Sequence, residues 1–273
     1  MGKFDGILFC TDLDGTLYND DKTVSEKNLQ AIEYFKGEGG LFTFVTGRVP
    51  QTVDKICSLL KPNAPLACVN GGVIYDYKKR EYLYKKTLDF KAFDFVALAE
   101  TKIAGLGIQM STGREIIFSR DNEALQNFRR LTGVPYVARD YREIDEPVFK
   151  VIFASEDEGD IKKLQDLFYN SEVKDKFEMV RSERILCDLL PKGIKKGTAL
   201  LKLCELLGVK WENTVAVGDY YNDVSMIEAA CHGIAVENAV DAAKSAAKYI
   251  SVSNNEGAIA DVIYNYLPTI EIK

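Results

Sequence analysis

The chain of 273 residues is most informative first in what it has little of. His232 is its only histidine. That excludes multi-histidine zinc sites, a histidine-pair phosphatase and any triad that needs a second imidazole. None of the six cysteines, at 10, 57, 68, 187, 204 and 231, forms a C-x-x-C pair, and none has an arginine six positions on. They read as free, mostly buried thiols of a reducing compartment, not as a disulfide framework or a phosphocysteine nucleophile. No apolar run approaches the ~20 residues of a membrane span. Asp12 and Asp14 interrupt the N-terminus where a secretory signal needs an unbroken apolar core. Met1-Gly2 faintly suggests a myristoylation start, but Gly6 stands where Ser or Thr is needed. The expectation is a cytoplasmic protein with no membrane partner.

Charge of one sign is also in short supply. Lys plus Arg total 35 against 41 Asp plus Glu, for a net charge of -6. An acidic chain is a poor candidate for sequence-independent binding of nucleic acid. The 47% apolar and 28% charged content is that of a globular protein, and the length allows two domains.

What is present is a βαβ rhythm. Ile7–Thr11 reads as a buried strand and Ser25–Gly37 as a helix opened by a Thr23-x-x-Glu26 capping box. Leu41–Val45, Val49–Leu60 and Leu66–Val69 continue as strand, helix and strand, which predicts a parallel sheet covered on both faces. From about 83 to 186 short strands lie next to each other between helices, the pattern of an α+β insert. The alternation resumes with an amphipathic helix at Lys196–Leu207, a strand at Thr214–Val217, a helix at Asp223–Ala230, a strand at Ile234–Val236 and two closing helices. The expected architecture is α/β: a doubly wound, Rossmann-like core from 1–82 and 187–273, with an insert at 83–186.

Chemistry-bearing residues collect where strands end. Asp12-Leu13-Asp14-Gly15-Thr16 follows the first strand. Two carboxylates there call for a divalent cation, unless they form a solvated Asp-Gly turn. Thr46-Gly47-Arg48 follows the second strand and offers a hydroxyl and a backbone N–H to an anion, or a plain helix cap. Lys196-Gly197 opens a helix, where a cation opposes the helix dipole unless an anion is near or the charge is merely exposed. Gly218-Asp219-Tyr220-Tyr221-Asn222-Asp223 adds two carboxylates and an amide; an acidic cap explains Asp223 but not Asp219 as well. Together the four segments supply a metal cage, a phosphate cradle and a cation at the edge where open α/β sheets bind ligands.

These segments, with Asn70-Gly71 and Glu237-Asn238-Ala239, resemble the haloacid dehalogenase superfamily, in particular its Cof-type phosphatases with a large α/β cap. Tyr220-Tyr221 is bulkier than the pair that relatives often carry. The resemblance implies that Asp12 is a nucleophile forming an aspartyl-phosphate and that Asp14 is the general acid and base. It implies a Mg²⁺ ion held by Asp12, the Asp14 carbonyl and Asp219, with Asp223 as ligand or supporting partner. It further implies phosphate binding by Leu13, Thr46, Gly47, Lys196 and Asn222, and substrate contacts from Arg48, Asn70 and Gly71. The expected partner is a small phosphorylated metabolite such as a sugar phosphate, and the insert is the expected seat of specificity. A phosphomutase of the same superfamily shares the core residues; a phospho-aspartate signalling domain or a silent metal-binding scaffold are readings of another class. Arg114, Lys150 and Arg184 are read as surface charges, with contacts to substrate as the alternative, and Lys78-Lys79-Arg80 as a solvated face. The sequence sets no oligomeric state.

Overall fold

A computed structural model describes residues 2–271, with the backbone alone at 131 and 132. Met1 of the Met1-Gly2 start, and residues 272 and 273 of the second core segment, lie outside them. The first segment carries β1 (Leu8–Thr11), α1 (Glu26–Gly37), β2 (Leu41–Phe44), α2 (Asp54–Leu60), β3 (Leu66–Cys68), β4 (Val73–Asp76) and β5 (Glu81–Lys85). Next come α3 (Ala92–Lys102), β6 (Gly107–Thr112), β7 (Ile116–Arg120), α4 (Glu123–Thr132), β8 (Val137–Ala138), β9 (Val148–Ala154), α5 (Glu158–Tyr169), β10 (Phe177–Glu183) and β11 (Leu186–Pro191). The last segment holds α6 (Lys196–Leu207), β12 (Thr214–Gly218), α7 (Val224–Ala229), β13 (His232–Ala235), α8 (Asp241–Ala246), β14 (Tyr249–Ile250) and α9 (Ala258–Asp261). None of these helices is long and apolar enough to cross a membrane.

The chain divides into two compact units, residues 1–85 with 195–273, and residues 86–194. The insert is thus shifted from the expected 83–186. Strand β5 pairs with β4 of the first unit, so 83–85 stay there. Strand β11 pairs with β9 and β10, so 187–191 belong to the insert.

The first unit is built on a five-stranded parallel sheet in the order β14-β13-β12-β1-β2. Its central strands are buried along their length, as runs such as Leu8-Phe9-Cys10 require. Thr11 stands level with Phe44 on one side and Val217 on the other, so the three strands end side by side. The order reverses at β1, which has β2 on one flank and β12 on the other, and such a switch point opens a crevice at the carboxyl edge.

Strand β3 departs from the expected parallel ladder. It joins the main sheet through one parallel bridge, Val45 with Ala67, and otherwise pairs antiparallel with β4 in a three-stranded sheet with β5. The reversal occurs at Val69, Asn70 and Gly71, which all take left-handed φ values of 55°, 52° and 101°. The Lys78-Lys79-Arg80 run is the turn of the β4–β5 hairpin, where Asp76 accepts hydrogen bonds from the backbone N–H of Lys78 and Lys79. Pro50 opens a short 3₁₀ turn, Pro50–Thr52, so the helix expected over Val49–Leu60 starts only at Asp54. Ser25, not Thr23, caps α1 by accepting from Asn28 N; Thr23 is bonded to Asp21 instead.

The insert has a six-stranded sheet, β10-β11-β9-β6-β7-β8, antiparallel except at β7–β8. Phe95, Val96 and Ala99 of α3 and Ile161, Leu164 and Phe168 of α5 pack on one of its faces. The six cysteines are free thiols.

Candidate active site

The site grows from the carboxyl ends of β1, β2 and β12. Asp12 is the first residue past β1, and its N–H donates to Val217 O at 2.9 Å, which fixes it beside the end of β12. There the chain turns through Gly218 into the loop that carries Asp219 and Asp223. One carboxylate oxygen from each of Asp12, Asp219 and Asp223 lies within 4.8 Å of the others.

Lys196 enters this group from the first turn of α6. Its Nζ donates to Asp12 Oδ1 and to Asp223 Oδ1, both at 2.6 Å, and its side chain is 1% exposed. The lysine that looked misplaced at a helix start is therefore a buried cation between two carboxylates. Burial works against its charge, but Asp12 and Asp223 outweigh burial and push its pKa above the ordinary lysine value. The ammonium does not balance the group. Burial pushes the Asp12 carboxyl up to about 7, the Asp223 charge adds to that, and Lys196 pulls against both. Asp219 is raised well above the usual carboxylate range by burial and by Asp223 and Asp12. Two buried carboxylates and the half-buried one of Asp219, set around one ammonium, carry excess negative charge, and all offer the oxygen donors that a hard divalent cation prefers. The residues present fit such an ion.

The loops are built to hold these carboxylates. Gly15 has φ +83°, and a Cβ there would stand 2.5 Å from Asp219 Oδ2, so only glycine serves. Thr16 Oγ1 donates to Asp219 Oδ1 at 2.6 Å. Asp223 Oδ2 accepts from the N–H of Asp219 and of Tyr220, both at 3.0 Å. With Lys196 on its other oxygen, Asp223 shapes the loop and does not cap α7 by its side chain.

A second group borders the first. Thr46 lies just past β2, is buried, and accepts from Arg48 N at 3.2 Å. Thr46 O accepts from Asn70 N, and Arg48 O from Val69 N, so the strained turn after β3 is clamped to the Thr46–Arg48 loop. A left-handed valine costs about 1–3 kcal/mol and persists only where its surroundings impose it. Gly71 is required because a Cβ would meet Ala199 Cβ at 2.6 Å. Gly47 lies beside the Asn70 amide, and Asn222 Nδ2 donates to Asn70 Oδ1 at 3.3 Å. Asn222 Oδ1 is buried without a partner.

Asp14 stands apart from the acidic group. Arg48 grips it through Nε at 3.0 Å and Nη2 at 2.9 Å, and Lys22 Nζ adds a contact at 3.1 Å. Burial would raise its pKa, but Arg48 and then Lys22 overcome burial and hold it below the usual carboxylate value. Its side chain is thus not a member of the metal-type cluster. Leu13 is buried, and its carbonyl accepts from Leu17 N and Tyr18 N.

The structure thus gathers Asp12, Asp219, Asp223 and Lys196 into one cluster and links Thr46, Gly47, Asn70 and Asn222 beside it. One contributor, Lys22, was not singled out by sequence, and Thr16 and Asn238 stood there only inside quoted segments, without a role. Lys22 carries no local signal. Thr16 is visible only as the threonine two places after Asp14. Asn238 donates to Gly15 O at 2.9 Å from a segment more than two hundred residues away. In the insert, Arg114 and Arg184 are exposed charges paired with Glu146 and Glu158. Lys150 overturns the surface reading: it is buried and paired with Asp188. His232 opens β13, and its Nδ1 lies 3.1 Å from the Tyr266 hydroxyl.

Comparison with known proteins agrees with this geometry. The sequence pattern of the haloacid dehalogenase-like hydrolases matches residues 9–263. Pyridoxal phosphate phosphatase YbhA of Escherichia coli is 31% identical over 271 residues, covering 95% of this chain and 98% of that protein. The 5-amino-6-(5-phospho-D-ribitylamino)uracil phosphatase YwtE of Bacillus subtilis is 29% identical, covering 91% and 94%. The crystal structure of a haloacid dehalogenase-like hydrolase from Bacteroides thetaiotaomicron superposes with a TM-score of 0.84 at 27% identity, over 97% of this chain and 100% of that one. An α/β core whose first strand leads into Asp12 therefore belongs to the haloacid dehalogenase-like hydrolase family, on its Cof-type branch, and the chain is a phosphatase.

Proposed function

We propose that the chain is a Mg²⁺-dependent phosphomonoester hydrolase that acts on small phosphorylated metabolites through an aspartyl-phosphate on Asp12. The observation that carries this reading is the convergence of Asp12, Asp219 and Asp223 around one buried ammonium, with excess negative charge and oxygen donors only.

Asp12 attacks the phosphorus, and the bond from phosphorus to the ester oxygen breaks. The leaving oxygen takes a proton from Asp14. In the second half Asp14 takes a proton from water, the water oxygen attacks the phosphorus of the aspartyl-phosphate, and phosphate and free Asp12 result. Arg48 and Lys22 favour the ionised Asp14 that serves as base in the second half, and the proton it takes there from water is the one it gives to the leaving oxygen of the next turnover. Thr46, the N–H groups of Leu13 and Gly47, Lys196 and Asn222 hold the phosphoryl oxygens; the unpartnered Asn222 amide oxygen marks a side chain with bonding capacity to spare. Asp12, Asp219 and the Asp14 carbonyl would hold Mg²⁺, with Asp223 shaping the loop, and the bound ion offsets the repulsion between Asp12 and a phosphate dianion.

The insert, as a cap, selects the organic group. Pyridoxal phosphate and a phosphorylated ribitylaminouracil, the substrates named for two relatives, are both small organic phosphates. The test is release of inorganic phosphate from p-nitrophenyl phosphate. Activity is expected with Mg²⁺, lost with EDTA and restored by Mg²⁺. Hydrolysis that ignores EDTA contradicts the metal, and a sugar phosphate isomerised without free phosphate replaces hydrolase by mutase.

A further inference from the structure

The segment that follows Asp14 is held by a distant part of the same unit. Lys22 reaches Asp14 from a turn in which Asn19 O accepts from Lys22 N and Thr23 O from Asn19 N. Arg48, the other cation on Asp14, has its guanidinium 5.3 Å from the centre of the Tyr18 ring. Tyr18 stands beside Asp14 in a parallel bridge, and its N–H donates to Leu13 O. Both cations therefore depend on where residues 15–20 lie. The Lys22–Asp14 pair is partly exposed, and such pairs impose little order of their own.

That order comes from three asparagines of the last core segment. Asn254 is 2% exposed, and its Nδ2 donates to Tyr18 O and to Asp20 Oδ1, each at 3.0 Å. Asn255 Nδ2 donates to Asp20 Oδ2 at 2.9 Å, and Asn255 Oδ1 accepts from Asp20 N at 3.0 Å. Asn238 Nδ2 donates to Gly15 O at 2.9 Å, while its Oδ1 accepts from Asn254 N at 2.9 Å. The same stretch supports the neighbouring acidic loop, since Val240 N donates to Asp219 O and Val236 N to Gly218 O. A primary amide both donates and accepts, and these three use that capacity on the two ends of one loop. Capping does not account for them: Ser253 and Glu256 already cap the short turn Asn254–Glu256. The bond to Tyr18 O is buried, so losing it would leave a carbonyl out of water and without a partner.

We infer that Asn254 and Asn238 are positioning residues for the acid–base steps: by holding the carbonyls of Tyr18 and Gly15 they fix the segment from which Asp14 and its two cations work. The inference rests on the phosphatase reading above and deepens it. Among the described residues neither amide bonds Asp14 itself. Each acts through the backbone, because Gly15 adjoins Asp14 and Tyr18 carries the ring that lies against Arg48. A shift of about 1 Å imposed from such a distance can cost about a hundredfold in rate.

The test uses the full Mg²⁺-loaded chain and p-nitrophenyl phosphate, in a double-mutant cycle with Asp14→Asn. Asn254→Asp keeps the shape of the side chain, removes the donor to Tyr18 O and sets a carboxylate against Asp20. It should lower kcat about tenfold, with KM and the Mg²⁺ concentration for half-activation within about twofold of the parent. In the Asp14→Asn background the same change should lower kcat by less than about twofold, because no acid–base group is left to position. A merely structural role predicts the same factor in both backgrounds. In the metal-free chain, amide hydrogen exchange over residues 15–22 should quicken about tenfold in Asn254→Asp, while exchange in β12 stays as in the parent. If Asn254→Asp does not fold, Asn238→Ala, whose bond to Gly15 O is exposed, decides through the same cycle. Equal factors in the two backgrounds, or a kcat that Asn254→Asp leaves unchanged, overturn the positioning role alone. A parent that releases no phosphate overturns the phosphatase reading and this inference together.

Discussion

Two buried lysine–aspartate groups, one in each unit, use the same residue types for opposite electrostatic ends. Two carboxylates, of Asp12 and Asp223, bond the Lys196 ammonium, and that of Asp219 lies within 4.8 Å of both. Around Lys150 a single carboxylate, Asp188, matches it. The first group is left with excess negative charge, which a proton or a further cation can offset. The second matches one ammonium with one carboxylate. The balance of charge, rather than residue identity, separates a group whose carboxylates fit a divalent cation from an ion pair that is complete without one.

The contrast can be broken at several points. The largest effect is expected from Asp12→Asn, which should lower phosphate release from p-nitrophenyl phosphate by at least about a thousandfold, since a lost nucleophile is not replaced by its neighbours. Asp14→Asn should cost about 10²–10⁴-fold, and rapid-quench kinetics should show both formation and breakdown of the phosphoenzyme slowed. In denaturant titrations Lys196→Met should lose about 3–5 kcal/mol by leaving buried carboxylates unpaired, with part regained on adding Mg²⁺. Lys150→Met should lose a similar amount, but there Lys150→Met/Asp188→Leu should regain most of it without metal, because removing both charges leaves nothing to compensate. Mg²⁺ at a hundred times its Kd should stabilise the parent by about 2.7 kcal/mol, and Asp219→Asn should abolish that gain.

The smallest effect lies away from both groups. Burial tends to raise the pKa of Asp261, but hydrogen bonds from Asn265, Ser251 and Tyr249 bring it below its ordinary value of 3.8. Its contribution to stability is therefore present above the unfolded value and is lost as pH falls through the folded one. The acid limb of a melting-temperature profile should flatten slightly in Asp261→Asn, and an unchanged limb contradicts that role.

The core was far more legible in sequence than the insert, for physical reasons. Asp12, Thr46 and Asp219 each follow a short apolar strand directly, and a parallel sheet aligns strand ends, so a linear pattern maps onto a place. Lys196 was legible as an anomaly, a cation at the positive end of a helix, although its partners lie 184 and 27 positions away. The turn at Val69–Gly71 was not legible, because nothing local favours a left-handed valine; contacts with the Thr46–Arg48 loop impose it. The Lys150–Asp188 pair escaped for a similar reason. A lysine in the strand Val148–Ala154 reads as the solvated side of a half-buried strand, and only the folded structure shows that the residues on both faces of β9 are buried. Local chemistry marks the segments at the strand ends, whereas the Lys150–Asp188 pairing depends on strand register, which a single sequence does not reveal.

The most direct test of the central claim is to quench the Mg²⁺-loaded chain in acid during turnover of a ³²P-labelled phosphate ester and to map the label. Label on the peptide that carries Asp12, released by hydroxylamine and absent from Asp12→Asn, is the predicted result. Label on a different residue, or steady hydrolysis by Asp12→Asn, contradicts it.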